Sequence, residues 1–178
     1  MKNNLRKIAK EKRFNLKTIE HNKKIQELFL NLSEYKIAKN ILTYYSFNNE
    51  VDTLFCFKDI TKNWYLPKIN KDKLLVCPYN KDNLTKNKFN LIEPNNEPIT
   101  DTSIIDMVVI PCIASDIYGY RLGYGKGYYD RFLPTLNKST MKVILCYSDL
   151  LYDTVFPEKF DIPANIIVTD KEIYRINC

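Results

Sequence analysis

The sequence predicts a single α/β domain spanning residues 1–178: a three-layer α/β/α fold around a largely parallel open sheet, with the ligand site at the carboxyl ends of the strands. Three observations carry this. Segments of helical period alternate with strand-like segments along the chain. Ile104-Ile-Asp-Met-Val-Val-Ile-Pro111 is apolar on both faces apart from Asp106, the pattern of a parallel strand buried on both sides. The chain's four glycines, Gly119, Gly123, Gly125 and Gly127, all fall in one run a few residues after that strand.

Residues 2–13 read as a basic amphipathic helix with Leu5, Ile8 and Ala9 as a thin apolar stripe. Thr18 caps a second helix, about 19–32, whose apolar face is Ile25, Leu28, Phe29 and Leu32. Residues 38–46 form a strand rich in apolar and aromatic side chains. A helix is expected from about Glu50, carrying Val51, Leu54, Phe55 and Phe57. Trp64-Tyr-Leu-Pro67 reads as a short strand stopped by its proline, and 74–78 as another. Residues 79–104 read as a long polar connection tacked down by Phe89, Leu91 and Ile92. A short or kinked helix follows over 128–136, because Pro134 interrupts its pattern. Strands over 141–147 and 165–169, then an edge strand over 171–177, complete the sheet.

Composition excludes several classes of function. No apolar run approaches the length of a membrane span. The N-terminus leads into charged residues without the apolar core of a signal peptide, so a cytoplasmic protein is expected. The five cysteines, Cys56, Cys77, Cys112, Cys146 and Cys178, are scattered without C-x-x-C spacing. Buried thiols in a reducing compartment fit them better than disulfides or zinc. The one histidine, His21, sits in a polar helical stretch, which leaves histidine-based metal sites and catalytic triads without their parts. An enzyme built from this chain works with Lys, Arg, Tyr and carboxylates. The net charge of +6, with Lys2, Arg6, Lys7, Lys10, Lys12, Arg13 and Lys17 crowded at the start, suits a polyanion or simply a solvated helix face.

The glycine run, Gly119 to Arg131, mixes glycines with Arg121, Lys126 and Arg131, four tyrosines and Asp130. Backbone N–H groups with Lys and Arg suit phosphate, and a carboxylate suits a phosphate-borne metal. A glycine-rich surface turn is the alternative. The run is not a Walker A motif, because Tyr120 stands where the first glycine is required and Gly127 follows the lysine. Nor is it G-x-G-x-x-G, since Gly123-Tyr-Gly-Lys-Gly127 is one residue short.

The longer string Arg121-Leu-Gly-Tyr-Gly-Lys-Gly-Tyr-Tyr-Asp-Arg131 resembles the signature of the 5-formyltetrahydrofolate cyclo-ligases, also called methenyltetrahydrofolate synthetases. Lys2-x-x-Leu5-Arg6, Glu50-Val-Asp-Thr53, Tyr65-Leu-Pro67, Ile92-Glu-Pro94, Asp106 to Pro111, Asp116-x-x-Gly119 and Pro157 to Asp161 resemble that family's other landmarks in order. The resemblance covers essentially the whole chain. Cys112 and Ser115 depart from the glycine and aromatic usual there, and Leu150 and Leu151 occupy a region where the family commonly carries glutamine.

The resemblance implies ATP- and Mg²⁺-dependent closure of 5-formyltetrahydrofolate to 5,10-methenyltetrahydrofolate, through a phosphorylated formyl group (an iminium phosphate), with release of ADP and phosphate. It also implies roles for particular residues. Lys2 and Arg6 would contact ATP phosphates, with Gly123, Gly125 and Gly127 allowing close backbone approach. Arg121 and Lys126 would be catalytic, neutralising charge on the γ-phosphate and formyl oxygen. The ATP-binding set would further include Tyr124, Tyr128 and Tyr129, with Tyr124 and Tyr128 also lining the formyl–pterin side. Glu50 would bind the pterin with Tyr45 packed nearby. Trp64 would stack on a ring, unless it is a core tryptophan. Asp130, with Asp161 second, would hold Mg²⁺.

The expected partners are ATP and a reduced folate, with or without a polyglutamate tail, with no membrane and no nucleic acid, and the expected state is a monomer. Two other readings stand beside this one. One is a different ATP-dependent ligase or kinase on the same scaffold. The other is a basic nucleic-acid-binding module, which the clustering of aromatics with glycines and Asp130, away from the N-terminal lysines, argues against.

Overall fold

The protein is seen in a computed structural model that describes residues 1–87 and 90–176. The chain opens with three helices, α1 (Lys2–Leu16), α2 (Ile19–Leu30) and α3 (Ser33–Ile37). In α1 the expected stripe is corrected: Ile8 is 48% exposed, whereas Ala9 and Arg13 are buried. Lys2, Arg6, Ala9 and Arg13 recur at the spacing of one helical face. The face turned to the body is therefore basic. In α2 the Thr18 hydroxyl accepts from the His21 N–H at 3.1 Å, the expected cap.

Strand β1 (Asn40–Leu42) starts beside Asp106, whose carboxylate accepts from the Lys39 and Asn40 N–H groups. The helix expected near Glu50 is absent. Asn48 and Asn49 adopt positive φ, and the carboxylates of Glu50 and Asp52 accept from the Phe47 and Leu54 N–H groups. These local bonds offer the backbone an alternative to the helix, which survives only as a 3-10 turn at Cys56–Lys58.

Strand β2 (Asn63–Asn70) runs straight through Pro67 and turns back as β3 (Lys73–Pro78). The proline is tolerated because β1 pairs no further than Tyr65, so no ladder donor is needed on that side. The long connection contains a hairpin, β4 (Leu84–Lys86) and β5 (Ile92–Pro94), that its polar composition hid. The expected tack at Phe89 lies outside the described residues.

Strand β6 (Met107–Ile110) is fully buried, as its two apolar faces require. Strands β7 (Ala114–Asp116) and β8 (Arg121–Leu122) lead into the glycine run, which ends in α4 (Tyr128–Phe132) and a 3-10 turn containing Pro134. Then come β9 (Met141–Leu145), β10 (Leu151–Tyr152), β11 (Ile166–Val168) and β12 (Ile173–Arg175).

The main sheet has the order β12-β11-β9-β6-β1-β2-β3. Its five central strands are parallel, and β3 and β12 are antiparallel edges. This is the α/β architecture the sequence predicts. From β1 the chain winds to β2 on one side, then crosses to β6, β9 and β11 on the other. The connections leaving β1 and β6 therefore part at their carboxyl ends and open a crevice there.

Candidate functional site

A cavity of about 600 Å³ occupies that crevice. Its floor is made by Tyr44 and Tyr45 after β1 and by Pro111 after β6. Apolar walls come from Pro67, Ile69 and Leu74 of the β2–β3 hairpin and from Leu91 and Ile92 of the β4–β5 hairpin. The Ile69 N–H donates to the Glu93 carboxylate at 3.0 Å, which ties the two hairpins together. Charged walls come from the start of α1, the glycine run and residues 158–161.

The glycine run takes its shape from specific contacts. Gly125 and Gly127 have φ of 86° and 67°, a region that side-chain-bearing residues rarely enter. Gly123 differs: a Cβ there would meet nothing within 4 Å. Its missing side chain leaves open space beside the cavity. Arg6 donates from Nε to the Gly123 carbonyl at 2.9 Å. Arg131 donates to the Asp72 and Lys126 carbonyls, and so pins the run to the β2–β3 turn.

Cations and carboxylates alternate around the wall. Lys2 bridges Asp161 and Glu158, each at 2.9 Å. Burial disfavours both charges of the Lys2–Asp161 pair, and the contacts outweigh it: the ammonium is held above its ordinary pKa and the carboxylate below. Arg121, 9% exposed, pairs with Asp130 and donates to the Ile162 carbonyl at 3.1 Å. Lys126 is exposed and makes no ion pair among the described residues. Glu50 is 7% exposed and accepts from the Phe47 N–H at 2.8 Å and the Tyr124 hydroxyl at 2.9 Å. Burial pushes its carboxyl pKa above the ordinary value. The Tyr129 hydroxyl is buried with no hydrogen-bond partner among the described residues, on a residue that lines the cavity.

The sequence model of the 5-formyltetrahydrofolate cyclo-ligase family matches residues 1–170. The chain belongs to that family. This makes the protein a ligase of folate metabolism, and 5-formyltetrahydrofolate cyclo-ligase activity is what the family's named members share. The 5-formyltetrahydrofolate cyclo-ligase of Mycoplasma pneumoniae is 32% identical over 96% of this chain and 99% of its own. That of Haemophilus influenzae is 35% identical over 75% of this chain and 77% of its own. Among solved structures, the Aquifex aeolicus 5,10-methenyltetrahydrofolate synthetase superposes with a TM-score of 0.87 at 30% identity, over 99% of this chain and 93% of the other.

Against the cyclo-ligase expectation, the cavity brings together Lys2, Arg6, Tyr45, Glu50, Arg121, Gly123, Tyr124, Gly125, Lys126, Gly127, Tyr128, Tyr129, Asp130 and Asp161. Trp64 is corrected: it does not line this cavity. It is 7% exposed, packs against Tyr35 and Phe57, and donates its indole N–H to the Asp59 carbonyl at 2.9 Å. It is the core tryptophan of the two readings.

Two participants escaped the sequence. Glu158 shares Lys2 with Asp161, and nothing in its local pattern marks it. Arg13 supports Tyr124 and Glu50 from behind, at 2.9 Å from the tyrosine hydroxyl. Its signal was present in the helical spacing of Lys2, Arg6, Ala9 and Arg13.

Among the described residues no cluster of three or more His, Cys, Asp or Glu side chains forms a metal cage. Asp130 and Asp161 each keep one carboxylate oxygen without a hydrogen bond among the described residues. That donor set fits a Mg²⁺ ion held mainly by phosphate oxygens and water, with one or two carboxylates added. Among the described residues no helix is long and apolar enough to cross a membrane.

Proposed function

We propose that this cavity closes 5-formyltetrahydrofolate to 5,10-methenyltetrahydrofolate, using ATP and releasing ADP and phosphate. The observation that carries the reading is the union, in one cavity of about 600 Å³, of the buried Glu50 carboxylate with two cations: Arg121, which pairs with Asp130, and Lys126, which makes no ion pair among the described residues.

The chemistry follows from the substrate. The formyl oxygen on N5 is a poor leaving group. Transfer of the γ-phosphoryl group to it releases ADP and gives an iminium phosphate. The N10 amine then attacks the same carbon, loses its proton, and phosphate departs with the former formyl oxygen. The substrate supplies its own nucleophiles, so the protein's task is to position and to stabilise charge. Glu50 accepts hydrogen bonds from the pterin, with Tyr45 and Ile69 against the ring. Lys2 and Arg6 face the phosphates across from Gly123 and Gly125. Arg121 and Lys126 offset the charge that develops between the γ-phosphate and formyl oxygen. Asp130 and Asp161 would hold Mg²⁺, which when bound neutralises phosphate charge.

The test is direct. With 5-formyltetrahydrofolate, ATP and Mg²⁺ supplied, the methenyl chromophore accumulates with one ADP per turnover. Folded protein that makes ADP only with another acceptor, or makes no chromophore, contradicts the reading.

A further inference from the structure

Arg13 lies behind the cavity wall. Only 3% of it is exposed, and its guanidinium ties three segments together. It donates to the Cys112 carbonyl at 3.0 Å, to the Asn48 carbonyl at 2.6 Å and to the Tyr124 hydroxyl at 2.9 Å. These lie after β6, after β1 and in the glycine run.

Arginine only donates, so the Tyr124 oxygen must accept from it. The tyrosine's single proton is thereby directed to Glu50 Oε1, 2.9 Å away. The Phe47 N–H holds the other carboxylate oxygen at 2.8 Å. Lys10 and Arg13 also flank the Tyr124 ring, at 5.4 and 5.8 Å from its centre. The hydroxyl is thus committed to protein groups at both ends, whereas Glu50 still lines the cavity.

We propose that Arg13 is a positioning residue for the folate half of the reaction, which fixes the charge and aim of Glu50 through the Tyr124 hydroxyl without touching either substrate. This rests on Glu50 being the pterin-binding carboxylate.

The charge balance around Glu50 makes the link consequential. The titratable groups facing it are Arg13 of α1, Lys17 just after that helix, Tyr44 after β1, Tyr124 of the glycine run and Tyr129 of α4. Only Arg13 and Lys17 carry positive charge. Burial opposes ionisation, and the Phe47 N–H, Tyr124 and the two cations oppose burial without overcoming it. The ionised Glu50 accepts at both oxygens and with full charge, whereas protonation turns one oxygen into a donor and weakens its hold on pterin N–H groups. Removing a support moves its protonation to higher pH and narrows the working range from the acid side.

The experiment compares wild type with Tyr124→Phe, Arg13→Gln, Arg13→Lys, Glu50→Gln and the double variant Tyr124→Phe/Glu50→Gln. It reads kcat/KM for 5-formyltetrahydrofolate against pH, and KM for ATP separately. Tyr124→Phe keeps the ring and both Arg13–carbonyl bonds, so it reports even where Arg13→Gln does not fold. Tyr124→Phe and Arg13→Gln are expected to raise KM for the folate roughly tenfold and move the acid limb up by about one pH unit, the scale of one lost charged hydrogen bond. KM for ATP stays within about twofold, Arg13→Lys recovers part of the shift, and the double variant is no worse than Glu50→Gln alone. An unmoved acid limb in Tyr124→Phe, or additive losses in the double variant, overturns the link while leaving the role of Glu50 intact. A normal folate KM in Glu50→Gln instead removes the pterin role and the inference with it.

Discussion

Arg6 on the first helix donates to the backbone carbonyl of Gly123 at 2.9 Å, across 117 positions of sequence. The start of the chain and the glycine run therefore form one continuous wall. A Cβ on Gly125 would lie 3.6 Å from the Arg6 guanidinium carbon, so Arg6 bonds to Gly123 and packs beside Gly125. Arg6→Ala unlatches this wall. A charged hydrogen bond contributes about 1.5–3 kcal/mol, which predicts a rise of roughly 10- to 100-fold in KM for ATP. Steady-state kinetics with varied ATP at saturating folate measures it; an unchanged KM separates Arg6 from the nucleotide.

The Lys126 ammonium has no ion-pair partner to lose among the described residues. Lys126→Ala is predicted to leave the melting temperature unchanged and lower kcat by roughly 100- to 1000-fold, the effect of removing one charge-stabilising donor from an enclosed site. Thermal melting and turnover on the same preparation check both halves. Near-normal turnover takes Lys126 out of the reaction.

Two glycines of the same run should answer oppositely to alanine. At Gly119, φ is 88° and a Cβ would sit 2.7 Å from the Ala164 carbonyl oxygen. Gly119→Ala is predicted to cost about 2 kcal/mol, roughly 4–8 °C in Tm for a chain of this size. At Gly123 a Cβ meets no protein atom within 4 Å. Gly123→Ala should keep its Tm and lose affinity for ATP, because the new methyl would occupy the space that the proposed function gives to the phosphates. A destabilised Gly123→Ala with normal KM would make that glycine structural.

The Tyr129 hydroxyl is buried beside the cavity without a partner among the described residues. Leaving a polar group so costs about 1–3 kcal/mol unless something satisfies it. Tyr129→Phe is therefore predicted to melt no lower than wild type without substrates, and to raise KM for one substrate up to about tenfold. Calorimetry with and without each ligand identifies which. A lower Tm with unchanged KM would show that the hydroxyl serves the fold alone.

Much of this arrangement was legible because it rests on features that sequence encodes locally. The doubly apolar 104–111 segment could be little else than an inner strand, and Tyr65 to Pro67 and Met141 to Leu145 supply its sheet. Glycines gathered beside Arg121, Lys126 and Asp130 pointed at the stretch that lines the cavity. Harder to see were features set by long-range geometry. Pro67 does not stop β2 because β1 is short there, which no local pattern reveals. The helix expected near Glu50 lost to local bonds in which the Phe47 and Leu54 N–H groups donate to the Glu50 and Asp52 carboxylates. Arg13 looked like one more surface cation, although its spacing from Lys2 and Arg6 put it on the inward face. Trp64 could be assigned to core or ligand only once Asp59 was seen to take its indole N–H.

The central claim is that the γ-phosphate meets the formyl oxygen inside this cavity, and the fate of that oxygen tests it most directly. Substrate labelled with ¹⁸O in the formyl group, turned over with unlabelled ATP, is followed by mass spectrometry of the released phosphate. One labelled oxygen is expected in each phosphate formed. Label recovered in water, with unlabelled phosphate, would contradict it.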